Sequence, residues 1–213
     1  MNKTLHILSQ ALSILLYPLF IPTYGMALLW LGMNSVAGQL PTVYWIIALV
    51  GTSCLTCFVP LSIILMQVLR GQIESIMIDN PGQRTMPYVY TTTCFGFWTY
   101  FMHSVLHLPA FMLWVGGGAT VALALVTAIN LKWKISAHTT AFGGLMGGII
   151  SFCLYYGYML TPAFMTILVL IALLLMYARL CVDAHTPLQV VAGLLLGLLT
   201  TLIPNLILFN AQI

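Results

Sequence analysis

The sequence predicts an all-α, polytopic helical bundle that lies in a membrane, and three observations support this fold class. Of the 213 residues, 62% are hydrophobic and only 4% are charged, and the mean hydropathy is +1.07. Soluble domains carry roughly 25% charged residues, so water alone would not solvate this surface. Apolar runs also recur at the length of about 20 residues that a transmembrane helix needs. We therefore expect a single transmembrane domain over residues 1–213.

The apolar runs divide the chain into seven predicted spans. They cover roughly residues 8–32, 42–68, 88–108, 110–129, 139–158, 162–178 and 188–208. Pro18 and Pro22 fall in the first span and predict a kink or break there. Glycines recur four apart in the fifth and seventh spans, as in Gly143 and Gly147, which predicts close packing of helices.

The charged residues are distributed unevenly between the two faces that seven crossings would create. One face receives the N-terminus and the loops at 69–87, 130–138 and 179–187. All nine charged side chains fall on that face: Lys3, Arg70, Glu74, Asp79, Arg84, Lys132, Lys134, Arg179 and Asp183. Because charges at a membrane edge are costly, this segregation predicts one polar functional site.

Two arginines and two histidines on this face point to the chemistry of the site. The planar guanidinium groups of Arg84 and Arg179 match pairs of phosphate oxygens. His138 and His185 are suited to accept a phosphoryl group or to donate a proton near neutral pH. His138 also begins a predicted helix, where backbone amides favour an anion. These residues predict a pocket for a phosphate ester, and we expect no metal and no cofactor.

Three short motifs carry a resemblance to a known family. Ala178-Arg179, five residues, His185, three residues and Gln189 match the pattern S-R-x5-H-x3-D. Ser136 and His138 stand at the serine and histidine of P-S-G-H, and K-x6-R-P is matched only by Arg84, with a proline three residues later at Pro87. In order and separation, residues 70 to 200 resemble the type 2 phosphatidic acid phosphatase superfamily of integral membrane lipid phosphatases, which is related to vanadium haloperoxidases.

This resemblance implies a six-helix lipid-phosphatase core plus an N-terminal helix. The core is placed at about residues 70–208, after N-terminal helices at about 8–32 and 42–68, so that seven spans are expected in all. It also implies roles. His185 would be the nucleophile that forms a phosphohistidine, and His138 would protonate the leaving alcohol. Arg84 and Arg179 would hold the phosphoryl oxygens, and Ser136 would complete the phosphate-binding cradle.

The implied partners are membrane lipids and a lipid phosphate substrate, with no nucleic acid. Phosphatidic acid, phosphatidylglycerophosphate and a polyprenyl diphosphate are the candidate substrates. The oligomeric state stays open.

Two departures from the motifs bear on activity. Gln189 stands where the family has the aspartate that orients the nucleophilic histidine, and Met77 stands where it has a lysine. A glutamine carbonyl still accepts the imidazole N–H but brings no charge, so we expect Gln189→Asp to raise turnover. Lys134, or Lys132, is a hypothetical replacement for the missing lysine. A lipid phosphotransferase and a homologue that binds or translocates a lipid phosphate without cleaving it are therefore alternatives.

Structural explanations compete with these functional ones. Arg179 and His185 also suit an ordinary membrane interface, and Lys132 and Lys134 flank Trp133 as interface anchors often do. His103 and His107 have a spacing that can bind a metal, but hydrogen bonds between helices explain them better. Asp79 and Asp183 are interpreted as loop partners of arginine.

The side of the membrane that the charged face occupies is left open by the sequence. All six lysines and arginines fall on that face, which by the positive-inside rule is cytoplasmic. The family resemblance instead predicts a bacterial inner membrane protein whose site faces the periplasm.

Overall fold

The computed structural model describes residues 3–36, 41–78 and 80–211, and these ranges contain nine α-helices and no β-strand. The helices are α1 (Lys3–Leu15), α2 (Ile21–Val36), α3 (Thr42–Thr52), α4 (Val59–Leu69), α5 (Thr85–Ser104), α6 (Ala110–Asn130), α7 (Ala137–Tyr156), α8 (Pro162–Cys181) and α9 (Pro187–Ala211). The predicted all-α class is therefore confirmed for this part of the chain. Asp79, which we interpreted as a loop partner of arginine, lies outside the described residues.

Five helical segments in the described ranges are long and apolar enough to cross a membrane. They are Thr42–Leu69, Ala110–Asn130, Ala137–Tyr156, Pro162–Cys181 and Pro187–Ile207. This agrees with a multi-pass membrane protein, although seven spans were predicted. The first predicted span is broken between α1 and α2, close to Pro18, and each piece is too short to cross. The third predicted span corresponds to α5, which is not among the five segments. It carries three consecutive threonines, Thr91, Thr92 and Thr93, which make it less apolar.

A widened helical turn joins α3 to α4 into one long element. A π-helical turn over Ser53–Phe58 ends two residues before Pro60. Because proline has no N–H to donate to the preceding turn and its ring crowds that turn, the helix widens there. The side chain of Thr52, just before the turn, accepts a hydrogen bond of 2.8 Å from Trp98 Nε1. The widened turn is thereby tied to α5.

The most extensive helix contact joins α7 and α9, which run parallel. A Cβ on Gly143 would collide with the carbonyl oxygen of Leu194, and a Cβ on Gly197 would collide with that of Thr140. Only glycine lets the two backbones approach this closely. The packing role predicted for these glycines is confirmed.

Three of the loops between helices meet at one end of the bundle. Asn130 Nδ2, at the end of α6, donates to the carbonyl of Pro81 at 2.8 Å. The backbone N–H of Ser136 donates to the carbonyl of Gln189 at 3.4 Å. The loops before α5, α7 and α9 are therefore neighbours, and these three helices all begin at the same end.

Replacing Gly197 by alanine tests the contact between α7 and α9. We expect Gly197→Ala to lower stability by about 1–3 kcal/mol, because its Cβ would meet the Thr140 carbonyl and force the helices apart. Thermal unfolding in a mild detergent measures the effect. Gly117→Ala is the matched control, since a Cβ there meets nothing within 4 Å. Equal unfolding temperatures for the two variants would contradict the packing role.

Candidate functional site

A cavity of about 200 Å³ lies inside the bundle, and the two arginines and two histidines line it. Arg84, His138, Arg179 and His185 are only 3%, 6%, 5% and 9% exposed. The described residues that line the cavity include no aspartate or glutamate. Two guanidinium groups at one place suit an anion, because each planar group can bind a pair of phosphate or carboxylate oxygens.

Helix termini add to the positive potential of this end of the cavity. Arg84 is the N-cap residue of α5, and His138 lies in the first turn of α7. His185 lies two residues before α9 begins at Pro187. The first amides of a helix have no intrahelical acceptor, and the helix dipole is positive at that end. The beginnings of three helices therefore converge on the site that the arginines line.

Two acceptors determine which nitrogen of His185 carries the proton. Its Nδ1 lies 3.2 Å from the carbonyl oxygen of Lys134 and 3.2 Å from Gln189 Oε1. A carbonyl oxygen only accepts hydrogen bonds, so Nδ1 bears the hydrogen and Nε2 of the neutral ring keeps its lone pair. Nε2 is therefore the nitrogen of this histidine whose lone pair is available.

Gln189 has two roles at the beginning of α9. Its Oε1 also accepts the backbone N–H of Thr186 at 3.1 Å, which fixes the orientation of the amide. Thr186 and Gln189 are three residues apart, as in the glutamine half of a capping box, with Pro187 at the first helical position. One oxygen thus both starts the helix and holds the imidazole.

His185 is neutral at pH 7 for clear physical reasons. Burial, and next the positive charges of Arg179 and Arg84, lower the pKa of this imidazole to about 4, although the hydrogen bonds to Gln189 and Lys134 oppose the shift. An ordinary histidine would be partly protonated near neutral pH. His185 therefore keeps its free lone pair throughout the physiological range.

The N-terminal segment covers His138. Its Nε2 lies 3.1 Å from the carbonyl oxygen of Ser13 near the end of α1, so Nε2 carries the hydrogen. The Tyr17 ring meets the His138 ring edge-on, with centroids 5.7 Å apart. The hydroxyl of Tyr17 donates to the carbonyl of Ile76 at 2.8 Å. These contacts link residues 13–17 both to the site and to the loop before α5.

A bond to the backbone positions Arg84. Its Nε donates to the carbonyl oxygen of Ile78 at 2.7 Å. Ile78 has a φ of 46°, a left-handed conformation that is rare for a β-branched residue. Such conformations concentrate at functional sites, where the surrounding structure holds them in place. The Nε bond orients the guanidinium whose terminal nitrogens would contact an anion.

The other predicted phosphate-binding residues do not line this cavity. Ser136 is completely buried, and its Oγ accepts the backbone N–H of Thr139 at 3.4 Å, so it caps α7. Lys134 contributes its main-chain carbonyl to His185. Lys132 is exposed and is also absent from the lining, whereas Met77, at the position of the family's lysine, is part of it.

Sequence reasoning missed two tyrosines that line the cavity, Tyr17 and Tyr88. Tyr88 lies one helical turn after Arg84, a spacing that places both residues on one face of α5. This signal was available in the sequence. Tyr17 precedes the proline that breaks the first helix, and the sequence indicated only the kink.

Comparisons of the chain with models of protein families, with curated proteins and with solved structures find no match. Within the described ranges, no group of three or more His, Cys, Asp and Glu side chains is placed to hold a metal ion. The resemblance to lipid phosphatases therefore stays a prediction that rests on the three motifs.

The lowered pKa of His185 predicts how stability depends on pH. Between about pH 6.5 and 4, the unfolded chain binds a proton at this residue and the folded chain does not, so stability falls as the pH falls. From pH 7 to pH 5 the loss is about 2 kcal/mol. Thermal unfolding in detergent at the two pH values measures it, with His185→Gln as the control.

In His185→Gln, the part of the pH dependence that His185 contributes disappears. An unchanged difference between pH 7 and pH 5 in this variant would show that His185 is not the responsible group.

Proposed function

We propose that this chain is a membrane lipid phosphatase that hydrolyses a phosphate monoester or diphosphate through a phosphohistidine intermediate. One observation carries the proposal. Two buried arginines and two histidines lie at one end of a cavity whose other walls are mostly apolar. A charged head with a hydrophobic body is the shape of a lipid phosphate, and arginine is well suited to bind its oxygens in pairs.

In the first step, the lone pair of His185 Nε2 attacks the phosphorus atom. A P–N bond forms while the bond from phosphorus to the lipid oxygen breaks. Arg84 and Arg179 would stabilise the negative charge on the phosphoryl oxygens, which is the largest contribution that such a site makes. The acceptors on Nδ1, Gln189 Oε1 and the Lys134 carbonyl, keep the ring oriented as it becomes positively charged.

His138 would supply the proton for the departing lipid oxygen. Its Nε2–H is bound to the Ser13 carbonyl, so the transferred proton would be one on Nδ1, which the ring would take up when the bound phosphate brings its negative charge beside it. In the second step, His138, now neutral, takes a proton from water. The water oxygen then attacks the phosphohistidine, which releases inorganic phosphate and restores neutral His185.

A second candidate is a homologue that binds or translocates a lipid phosphate without cleaving it. Two observations favour it. Gln189 provides no negative charge to stabilise a charged imidazole, and Met77 gives the cavity an apolar side chain at the position of the family's lysine. In serine proteases, replacing the orienting acid by an amide costs about 10⁴ in rate. A phosphotransferase would use the same first step and an alcohol acceptor in place of water.

Phosphate release from lipid phosphates in detergent micelles tests the function directly. We expect the wild-type protein to release inorganic phosphate and His185→Ala to lose this activity by at least about 10³-fold, because the nucleophile is removed. His103→Ala is the matched control, since His103 is exposed near the far end of α5 and does not line the cavity.

Equal, low release by wild type and His185→Ala across several lipids would exclude the enzyme and leave the binding protein. Loss of activity in His103→Ala as well would show that the effect of substitution is not specific to the site.

Replacing Gln189 by glutamate tests the orienting role. Glutamate has the same reach, so it still accepts from Thr186 and His185, and its charge favours the imidazolium that forms in the first step. We expect Gln189→Glu to raise kcat about tenfold or more. The shorter Gln189→Asp would gain charge but lose the bond to Thr186, so a smaller gain is expected. A fall in kcat for glutamate would contradict the role.

A further inference from the structure

The cavity extends from the cationic end far into the bundle. On α5, its lining residues recur every three or four positions: Arg84, Tyr88, Thr91, Phe95, Trp98 and Met102. This spacing marks one continuous face of the helix. Arg84 and Met102 are eighteen positions apart, which corresponds to about 27 Å along the helix axis. That distance approaches the thickness of the hydrocarbon core of a bilayer, about 30 Å.

Side chains from three helices line the far end of this cavity. Met26 and Leu29 of α2, Met102 of α5 and Met112 of α6 line it and belong to one buried cluster. All four are less than 9% exposed. We call this group the floor of the cavity.

The walls between the site and the floor suit hydrocarbon rather than water. Several threonines line them, and the hydroxyls of two of these donate hydrogen bonds to main-chain carbonyls of their own helices. Thr91 Oγ1 donates to the Pro87 carbonyl at 2.7 Å, and Thr56 Oγ1 donates to the Thr52 carbonyl at 2.7 Å. Hydroxyls that are satisfied in this way leave largely apolar walls. Small residues of α6, such as Ala119 and Ala122, also line the cavity and give it width.

We propose that this cavity is a tail-binding shaft for one hydrocarbon chain of the lipid phosphate, and that its floor sets the longest chain that fits. This inference rests on the proposed function, because it takes the arginine end as the place of the phosphate. The centre of a water-sized sphere can reach only about 200 Å³ along a path of about 27 Å, so the space has the width of one chain and not of two side by side. The ligand is therefore a single-chain phosphate, either prenyl or unbranched alkyl, rather than a phosphate with two acyl chains.

Ala119 is the position where chain length is most easily changed. It lies eleven residues, or about 16 Å, from Asn130 at the site end of α6. A phenylalanine at this position would block the shaft partway to the floor. Val121 of the same helix is 51% exposed on the outer surface and does not line the cavity. Val121→Phe therefore adds the same ring where a tail in the shaft would not meet it.

The test measures how alkyl phosphonates, whose C–P bond is not hydrolysed, raise the unfolding temperature of the detergent-solubilised protein. One series runs from butyl to hexadecyl phosphonate, and a second uses geranyl and farnesyl phosphonates to distinguish prenyl from unbranched chains. Phosphatidic acid represents the two-chain class. For wild type we expect stabilisation to rise with chain length and then to stop rising.

For Ala119→Phe we expect the short phosphonates to bind as in wild type and the long ones to bind at least tenfold more weakly. Val121→Phe should follow wild type at every length. Met112→Ala should extend the longest chain that binds, because it opens the floor. The affinities of all variants are compared in the same detergent, so the partitioning of the tails into micelles affects every variant equally.

Two results would overturn the shaft. The first is a ratio of Ala119→Phe affinity to wild-type affinity that is the same at every chain length. The second is tighter binding of phosphatidic acid than of the single-chain phosphonates. Phosphate release is measured separately, with butyl phosphate and with alkyl phosphates of the longer chain lengths. Release without any dependence on tail length would refute the shaft and leave the phosphatase. Length-selective binding without release from any phosphate ester would refute the phosphatase and leave the shaft.

Discussion

The close parallel contact between α7 and α9 is the constraint on which the site depends. Because glycines let the two backbones meet, the beginnings of both helices lie side by side. His138 in the first turn of α7 is thereby brought next to His185, and the Ser136 amide is bonded to the Gln189 carbonyl. A wider helix spacing would separate the two imidazoles and the helix termini that make this end of the cavity positive.

Burial then determines the chemistry of the polar groups at that end. Because the site is buried, the charges of Arg84 and Arg179 act strongly on their surroundings, and they help to keep His185 neutral. The histidine protons are fixed by acceptors that do not titrate, two carbonyls and one amide oxygen. Donors and dipoles that are oriented before an anion arrives need no reorganisation when charge develops on it.

Composition and motif spacing were sufficient to predict the helical membrane class and the four side chains that share the cavity. They were insufficient where contacts join distant parts of the chain. The bond between Ser13 and His138 spans 125 residues and depends on how α1 packs beside α8. The break at residues 16–20 and the threonines of α5 reduced seven predicted spans to five within the described ranges. The identities of Lys134 and Ser136 also did not reveal their contacts. Lys134 bonds to His185 through its main-chain carbonyl, and Ser136 caps α7.

Three side chains of the site are held by main-chain oxygens, those of Ser13, Ile78 and Lys134. An oxygen of this kind is present whatever side chain the residue carries. The residues that supply these oxygens can therefore be replaced during evolution while the geometry persists, provided that no residue is inserted or deleted nearby. In a site built in this way, the lengths of the connecting segments are conserved more strictly than the identities of their residues.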